Sequence, residues 1–295
     1  MRRSIVISAL LVLLALPVCG QANWGFRGNV GVEHKITKGL DAGLGFRYHQ
    51  TDNFRNTDRW SIEASLGKRI YRNEAKTFTV KGGLSYKFLK VYNDWSSKYK
   101  GDAEDVANGL DPNEYIRKGY DFNYIDPYSD MRHRISTSIQ ASYEVGRFKF
   151  SLRETYQFTH TDSASYFIKR YRVQDPEKDW AKKGYQKTVS PAGVDYVYYL
   201  RSGMDGKGAS NSNVLRSKIS VDYNIPHWKY DPFISYEMFN GIDDGFKVEK
   251  SRLTVGVDFT INKKHNFEVA YMWQNEHDDD EPAGSFICLS YKFEL

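Results

Sequence analysis

Apolar and polar residues alternate with a period of two along most of the chain. Over 24–36 one row of side chains is Trp24, Phe26, Gly28, Val30, Val32, His34 and Ile36, and the other is Arg27, Asn29, Gly31, Glu33 and Lys35. Over 214–225, Leu215, Ile219, Val221, Tyr223 and Ile225 oppose Arg216, Lys218, Ser220, Asp222 and Asn224. The stretches 132–145, 251–262 and 285–295 read the same way. Successive side chains of a strand point to opposite faces, so this rhythm predicts strands with one apolar and one polar face. Eleven such segments run at about 24–36, 41–50, 59–71, 77–92, 132–145, 148–160, 214–225, 232–240, 251–262, 266–275 and 285–295. No stretch of similar length carries a 3.6-residue repeat. Many evenly spaced strands favour a barrel or a sandwich over an α/β fold.

The connections alternate in length. Short ones, such as Thr37-Lys38-Gly39-Leu40 and Gly146, follow the odd segments. Longer ones follow the even segments, at about 93–131, 161–213, 241–250 and 276–284. Membrane barrels have this asymmetry, with tight periplasmic turns and long outer loops, and they usually have an even number of strands. The pattern therefore predicts an all-β fold, an antiparallel transmembrane β-barrel of ten to twelve strands. Twelve is preferred, and 93–131 and 161–213 form two long extracellular loops in one barrel domain, 21–295.

Energy decides which face meets lipid. An Arg or Lys on the lipid face at mid-bilayer costs roughly 2–4 kcal/mol. Arg27, Arg47, Arg134, Arg153, Arg216 and Arg252 are therefore assigned to the lumen, where Glu33, Glu63, Glu144, Asp222, Glu237, Asp258 and Glu268 face them. Lipid leaves backbone groups without water partners, so the sheet must close. Aromatics gather near segment ends, as with Trp24, Tyr48, Trp60, Tyr86, Tyr223, Trp228, Tyr291 and Phe293, which suits rings at the headgroup level. Lys68 and Glu154 fall on the apolar face. A lysine near a strand end can snorkel, and a bulge is expected at Glu154.

Composition narrows the class. The 295 residues are 40% hydrophobic and 15% aromatic, too apolar for a disordered chain. A mean hydropathy of −0.63 argues against helical membrane spans. One long apolar run, Ile5 to Val18, follows Arg2 and Arg3 and precedes small residues. It reads as a signal peptide, residues 1–20, and hence as export to the outer membrane. Val18 is bulky before Cys19, which disfavours lipidation there. Residues 1–20 hold two arginines and no acid, so without them the formal charge falls from +5 to +3. That mild charge, with no basic run, excludes nucleic acid as a partner. Only Cys288 then remains of the two cysteines, so no internal disulfide is expected.

The blocks DNFRNTDRWS (52–61), FSLRETYQFTHT (150–161), VLRSKISVDYNI (214–225), PFISYEMFN (232–240), SRLTVGVDFTINKKHNFEVAYMWQ (251–274) and CLSYKFEL (288–295) resemble an exported β-barrel family, domain of unknown function 2490. The resemblance covers most of the chain apart from the two long loops. It implies an outer-membrane barrel and brings no functional residues with it. Such barrels commonly end on an aromatic residue read by the barrel-assembly machinery. Here the chain ends on Leu295, after Tyr291 and Phe293.

Candidate chemistry is sparse. Charged lumen residues can line a pore, although mixed signs favour a narrow or plugged interior. His160 with Ser163 and Ser165 sits at a strand-to-loop boundary, a suitable place for the base and nucleophile of an outer-membrane lipid hydrolase, although serine and threonine are common at loop entrances. His49, His133 and His227 read as solvated residues at strand ends. The run Glu276 to Glu281 lacks the glycine spacing of a calcium loop and reads as a solvated loop tip. No nucleotide-binding motif occurs and no cofactor is implied. The two long loops hold many aromatics, among them Trp95, Tyr99, Tyr115, Tyr124, Trp180 and Tyr199. These suit contact with a saccharide or protein, or packing of one loop on the other. The first loop is acid-rich (Asp102, Glu104, Asp105, Asp111, Glu114) and the second basic (Lys169, Arg170, Arg172, Lys178, Lys182, Lys183, Lys187), so opposite charge is expected to dock them. The expected protein is thus a non-enzymatic barrel, a small or plugged pore or a surface binder, whose partners are outer-membrane lipid, the assembly machinery and a small solute or surface ligand. The alternatives are the lipid hydrolase and a soluble periplasmic sandwich or lipocalin-like carrier.

Overall fold

The computed structural model describes residues 23–101, 107–173, 181–188, 198–226, 228–276 and 283–295. Residues 1–20, read as a signal peptide, together with His227, Trp180 and most of the acidic run 276–281, lie outside the described residues. In chain order the first elements are β1 (Trp24–Thr37), β2 (Leu40–Thr51), β3 (Asn56–Arg72), β4 (Phe78–Asn93), β5 (Ser96–Tyr99), α1 (Pro112–Lys118), β6 (Phe122–Ile125), β7 (Tyr128–Val145) and β8 (Phe148–Thr161). They are followed by β9 (Ala164–Val173), β10 (Gln186–Thr188), β11 (Tyr198–Lys207), β12 (Ser210–Tyr223), β13 (Tyr230–Gly241), β14 (Lys247–Ile261), β15 (His265–Glu276) and β16 (Gly284–Glu294).

Among the described residues, eleven strands close into a barrel in the order β1-β16-β15-β14-β13-β12-β8-β7-β4-β3-β2. These are the eleven segments read from the alternation. The count falls within the ten to twelve expected, one short of the preferred twelve, and the sheet is mixed where it was expected to be wholly antiparallel. The reason is topological. Each hairpin reverses direction, so an odd number of strands leaves the first and last running the same way. The barrel closes with β1 parallel to β16, from Trp24 opposite Ser285 to Glu33 opposite Glu294. Side chains stitch this seam. Asn29 Nδ2 donates to Ser290 Oγ at 2.9 Å. Lys292 pairs with Glu33 at 2.7 Å and Lys35 with Glu294 at 2.9 Å.

Sequence explains the turns. The β7–β8 hairpin turns on two residues, and Gly146 takes the left-handed φ of 60° that such a turn needs. The expected long connection at 241–250 is shorter than read, because β14 already starts at Lys247. The shortest barrel strand, β16, has 11 residues, enough for a tilted strand to cross a bilayer. No helix among the described residues is long and apolar enough to do so.

Burial in the barrel is inverted relative to a water-soluble protein. Val30 is 56% exposed and Ile219 58%, whereas Arg59 is 3% and Glu237 8% exposed. The apolar row therefore lies outside and the charged row inside. This polarity, with one closed sheet, replaces the sandwich and lipocalin-like alternatives. Glu154 corrects another expectation. The β7–β8 register runs unbroken from Arg132 opposite Thr161 to Val145 opposite Phe148, so no bulge turns it inward. Its carboxylate stays on the apolar face and accepts a 2.6 Å hydrogen bond from Ser217 Oγ.

The chain divides into two compact units, the barrel and a second unit made of 92–130 and 162–210. The second unit was read as two loops within one barrel domain. Among the described residues it is a five-stranded sheet in the order β10-β11-β9-β6-β5 with the short helix α1. Its two stretches join through β6 and β9, Phe122 opposite Tyr171. Tyr115 and Phe122 are fully buried there, and their rings stack with Tyr171 in series at 5.0 and 4.6 Å. The loop aromatics thus pack on one another. The loops also pair by opposite charge: Lys169 meets Asp126 at 3.0 Å and Arg172 meets Asp121 at 3.8 Å, while the expected acids Asp102, Glu104 and Asp105 lie outside the described residues.

Candidate functional site

The outer surface of the barrel carries rings at both ends. At the end from which β7 and β12 start, Phe46 lies 6.3 Å from Trp60, Trp60 lies 5.9 Å from Phe88, and Phe88 lies 5.4 Å from His133. At the end bearing the short turns, Tyr230, Phe259, Phe267 and Tyr291 form a chain of neighbours across four strands, each centroid 5.1 Å from the next. Phe148 and Tyr223 continue it at 4.8 Å. Aliphatic side chains such as Leu289, Val269 and Ile219 fill the band between.

The residues assigned to the lumen share the polar row of their strands, and ion pairs and hydrogen bonds join many of them. A first group surrounds two glutamates. Arg47 pairs with Glu63 at 2.8 Å, and Lys87 reaches the same carboxylate at 3.1 Å. Arg216 pairs with Glu237 at 2.8 Å, and Arg153 approaches it at 3.8 Å from β8. Arg134 Nε donates to Thr159 Oγ1 at 3.1 Å. Arg27 and Arg252 both donate to Gln274 Oε1, at 2.9 and 2.7 Å. These groups act on one another across the interior. The charges felt by Lys87 include Arg47, Glu63, Arg134 and Arg216, and those felt by Glu237 include Arg216, Arg252, Lys218 and Arg153. The result is a belt in which cations outnumber carboxylates.

A second group lies towards the short turns. Asp258 stands opposite Glu268 on one side and Asp231 on the other. Asp222 also acts on Asp258, and the cation facing this group is Lys149, 3.5 Å from Asp222. Glu144 is opposite Lys149 across the β7–β8 hairpin. Glu33 belongs to the seam rather than to either group.

Sequence reasoning missed three inward residues, Phe239, Phe286 and Gln274. The guanidinium groups of Arg216 and Arg252 lie 4.8 and 4.5 Å from the Phe239 ring, with Lys250 also at 4.8 Å. Arg27 covers the Phe286 ring at 4.3 Å. Cation–π contact gives a ring a role in a charged interior. The signal was available, since Phe239 shares its parity with Ser235 and Glu237. His160 is on the outer face of β8, its Nδ1 2.7 Å from Asn211 Oδ1, while Ser163 and Ser165 belong to the second unit.

A closed barrel with an aliphatic, ring-bounded exterior and an ionised interior defines the class: an inside-out β-barrel. Residues 53–283 match the family described as Protein of unknown function (DUF2490). The chain belongs to this family. Among solved structures, it is similar to the translocator domain of autotransporter NalP from Neisseria meningitidis, with 11% identity, 93% of this chain and 90% of that chain covered, and a TM-score of 0.44. No curated protein matches the chain.

Proposed function

We propose that this is a non-catalytic barrel of the bacterial outer membrane, exported by its N-terminal signal and inserted by the barrel-assembly machinery. Its narrow, charge-lined interior serves as a small pore. The observation that carries this reading is the aliphatic outer band between two ring girdles on a sheet with no free edge. In water such a band would be a very large exposed apolar patch, far beyond the few hundred Å² that monomeric soluble proteins usually leave open. In a bilayer it is solvated, and rings at both ends meet the headgroups.

The interior supports passage of small solutes over a sealed plug. Arg47 and Arg153 face inward, yet their side chains are 42% and 36% exposed. Water therefore reaches the charged row. The pairing of most carboxylates with cations keeps the bore narrow. Insertion of the purified protein into planar bilayers tests the reading, with discrete conductance steps expected. A correctly folded, membrane-inserted protein that never conducts would overturn it.

A further inference from the structure

Charge along the bore is sorted by depth. In β12 the cations Arg216 and Lys218 precede Asp222, and in β14 Arg252 precedes Asp258; both strands run towards the short turns. In β13 and β15, which run the other way, Asp231 and Glu268 come near the start. All four strands thus place acid near the short turns. Six residues separate Arg216 from Asp222, about 20 Å along a strand. With a tilt of about 40° that is roughly 15 Å along the axis. The Debye length at 0.1 M salt is about 10 Å, so the two zones act separately there.

The belt also holds unused donors. Arg153 Nε and Arg216 Nε are buried without a hydrogen-bond partner among the described residues, as is Ser235 Oγ on the neighbouring strand. Buried polar atoms are normally satisfied. Guanidinium forks match oxyanions, binding phosphate or carboxylate through charge-assisted hydrogen bonds.

Resting on the pore reading above, we propose that the interior is a bipolar ion filter. Small anions bearing phosphate or carboxylate groups bind at the basic belt, and the acidic zone in series makes the current rectify. An anion entering from the belt side meets attraction first and repulsion second, and one entering from the turn side meets the reverse order. Equal voltages of opposite sign therefore load the bore with different numbers of ions.

The test uses the full chain in planar bilayers under a KCl gradient, with inorganic phosphate as the probe. The expected results are a reversal potential on the chloride side, rectification that fades towards 1 M salt, where the Debye length is about 3 Å, and a fall in chloride current when phosphate is added. Asp231→Asn with Asp258→Asn should bring the rectification ratio to about one while chloride preference persists. Arg216→Gln with Lys218→Gln should shift the reversal potential towards potassium and weaken the phosphate block. A conducting native protein that prefers potassium, or whose current is symmetric at low salt, would overturn the filter and leave the pore intact. Complete absence of conductance would overturn both. The native readings alone decide the matter if a variant fails to fold.

Discussion

Leu289 offers a direct energetic test of which solvent the outer face meets. It sits at the middle of β16, opposite Val269 on one neighbouring strand and Gly28 on the other. Ile287 and Tyr291 flank it on the same face, so no charge lies beside it. In the barrel alone it is 44% exposed. On a water-soluble protein, Leu289→Arg at such a site would change stability by about 0.5 kcal/mol or less. Facing hydrocarbon near mid-bilayer, the same change costs roughly 2–4 kcal/mol. At about 1.4 kcal/mol per decade, that is a fall of about 30- to 800-fold in the folding equilibrium. Reversible guanidinium titration in phospholipid vesicles reads this quantity. The inward neighbour Ser290, opposite Glu268, supplies the control: Ser290→Lys gains an acid partner and should stay within about 1 kcal/mol of the native protein. If Leu289→Arg folded into vesicles with native stability, the outer face would not be a lipid face.

Other consequences follow from particular contacts. Glu154 and Ser217 form a polar pair on the apolar surface, so Glu154→Leu should stabilise the vesicle-bound protein by about 1 kcal/mol, less than a cation at the same depth would cost; a loss of stability in the same titration would contradict this. Phe122→Ala removes the fully buried centre of the inserted sheet and should cost that unit about 3–5 kcal/mol. Limited proteolysis should then cut within 92–130 and 162–210 while the barrel fragment remains protected. Alkaline pH should loosen the same unit. The hydrogen bond to Asp126 holds the Lys169 ammonium above its ordinary 10.5, and burial raises the Tyr171 phenol above its ordinary 10.0. Both groups are protonated in the folded unit, so their stabilisation is complete below about pH 10 and is lost as pH rises through the raised values. Cleavage of the native protein that did not increase above pH 10, while Asp126→Asn changed nothing, would remove that contribution.

Alternation made the barrel legible because a lipid-facing strand must be apolar on one side over its whole length, and this leaves a sustained period of two that no helix imitates. All eleven barrel strands were found this way. Strand closure was not legible, since nothing in a local pattern says that β1 meets β16. An odd count of segments already implied a parallel seam, but the general preference for even numbers outweighed it. The inserted sheet escaped because its strands lack one uniformly apolar face. Lys169, Arg170 and Arg172 interrupt Ala164–Val173, and β11 carries Arg201, Asp205 and Gly206. Its order comes from non-local pairing of two separated stretches and from the Tyr115, Phe122 and Tyr171 stack, which no window of sequence contains. Glu154 was read towards a bulge because an outward carboxylate looked too costly. Its partner, Ser217, lies on a strand 63 positions away.

Nitroxide scanning along 284–294 in phospholipid vesicles, on a Cys288→Ser background, tests the inside-out barrel most directly. The account predicts a strict two-residue rhythm, with labels at 287, 289 and 291 open to oxygen dissolved in hydrocarbon and labels at 290 and 292 open to a water-soluble nickel chelate instead. Equal access to both quenchers along the strand, or a protein that stays folded in buffer without vesicles or detergent, would contradict it.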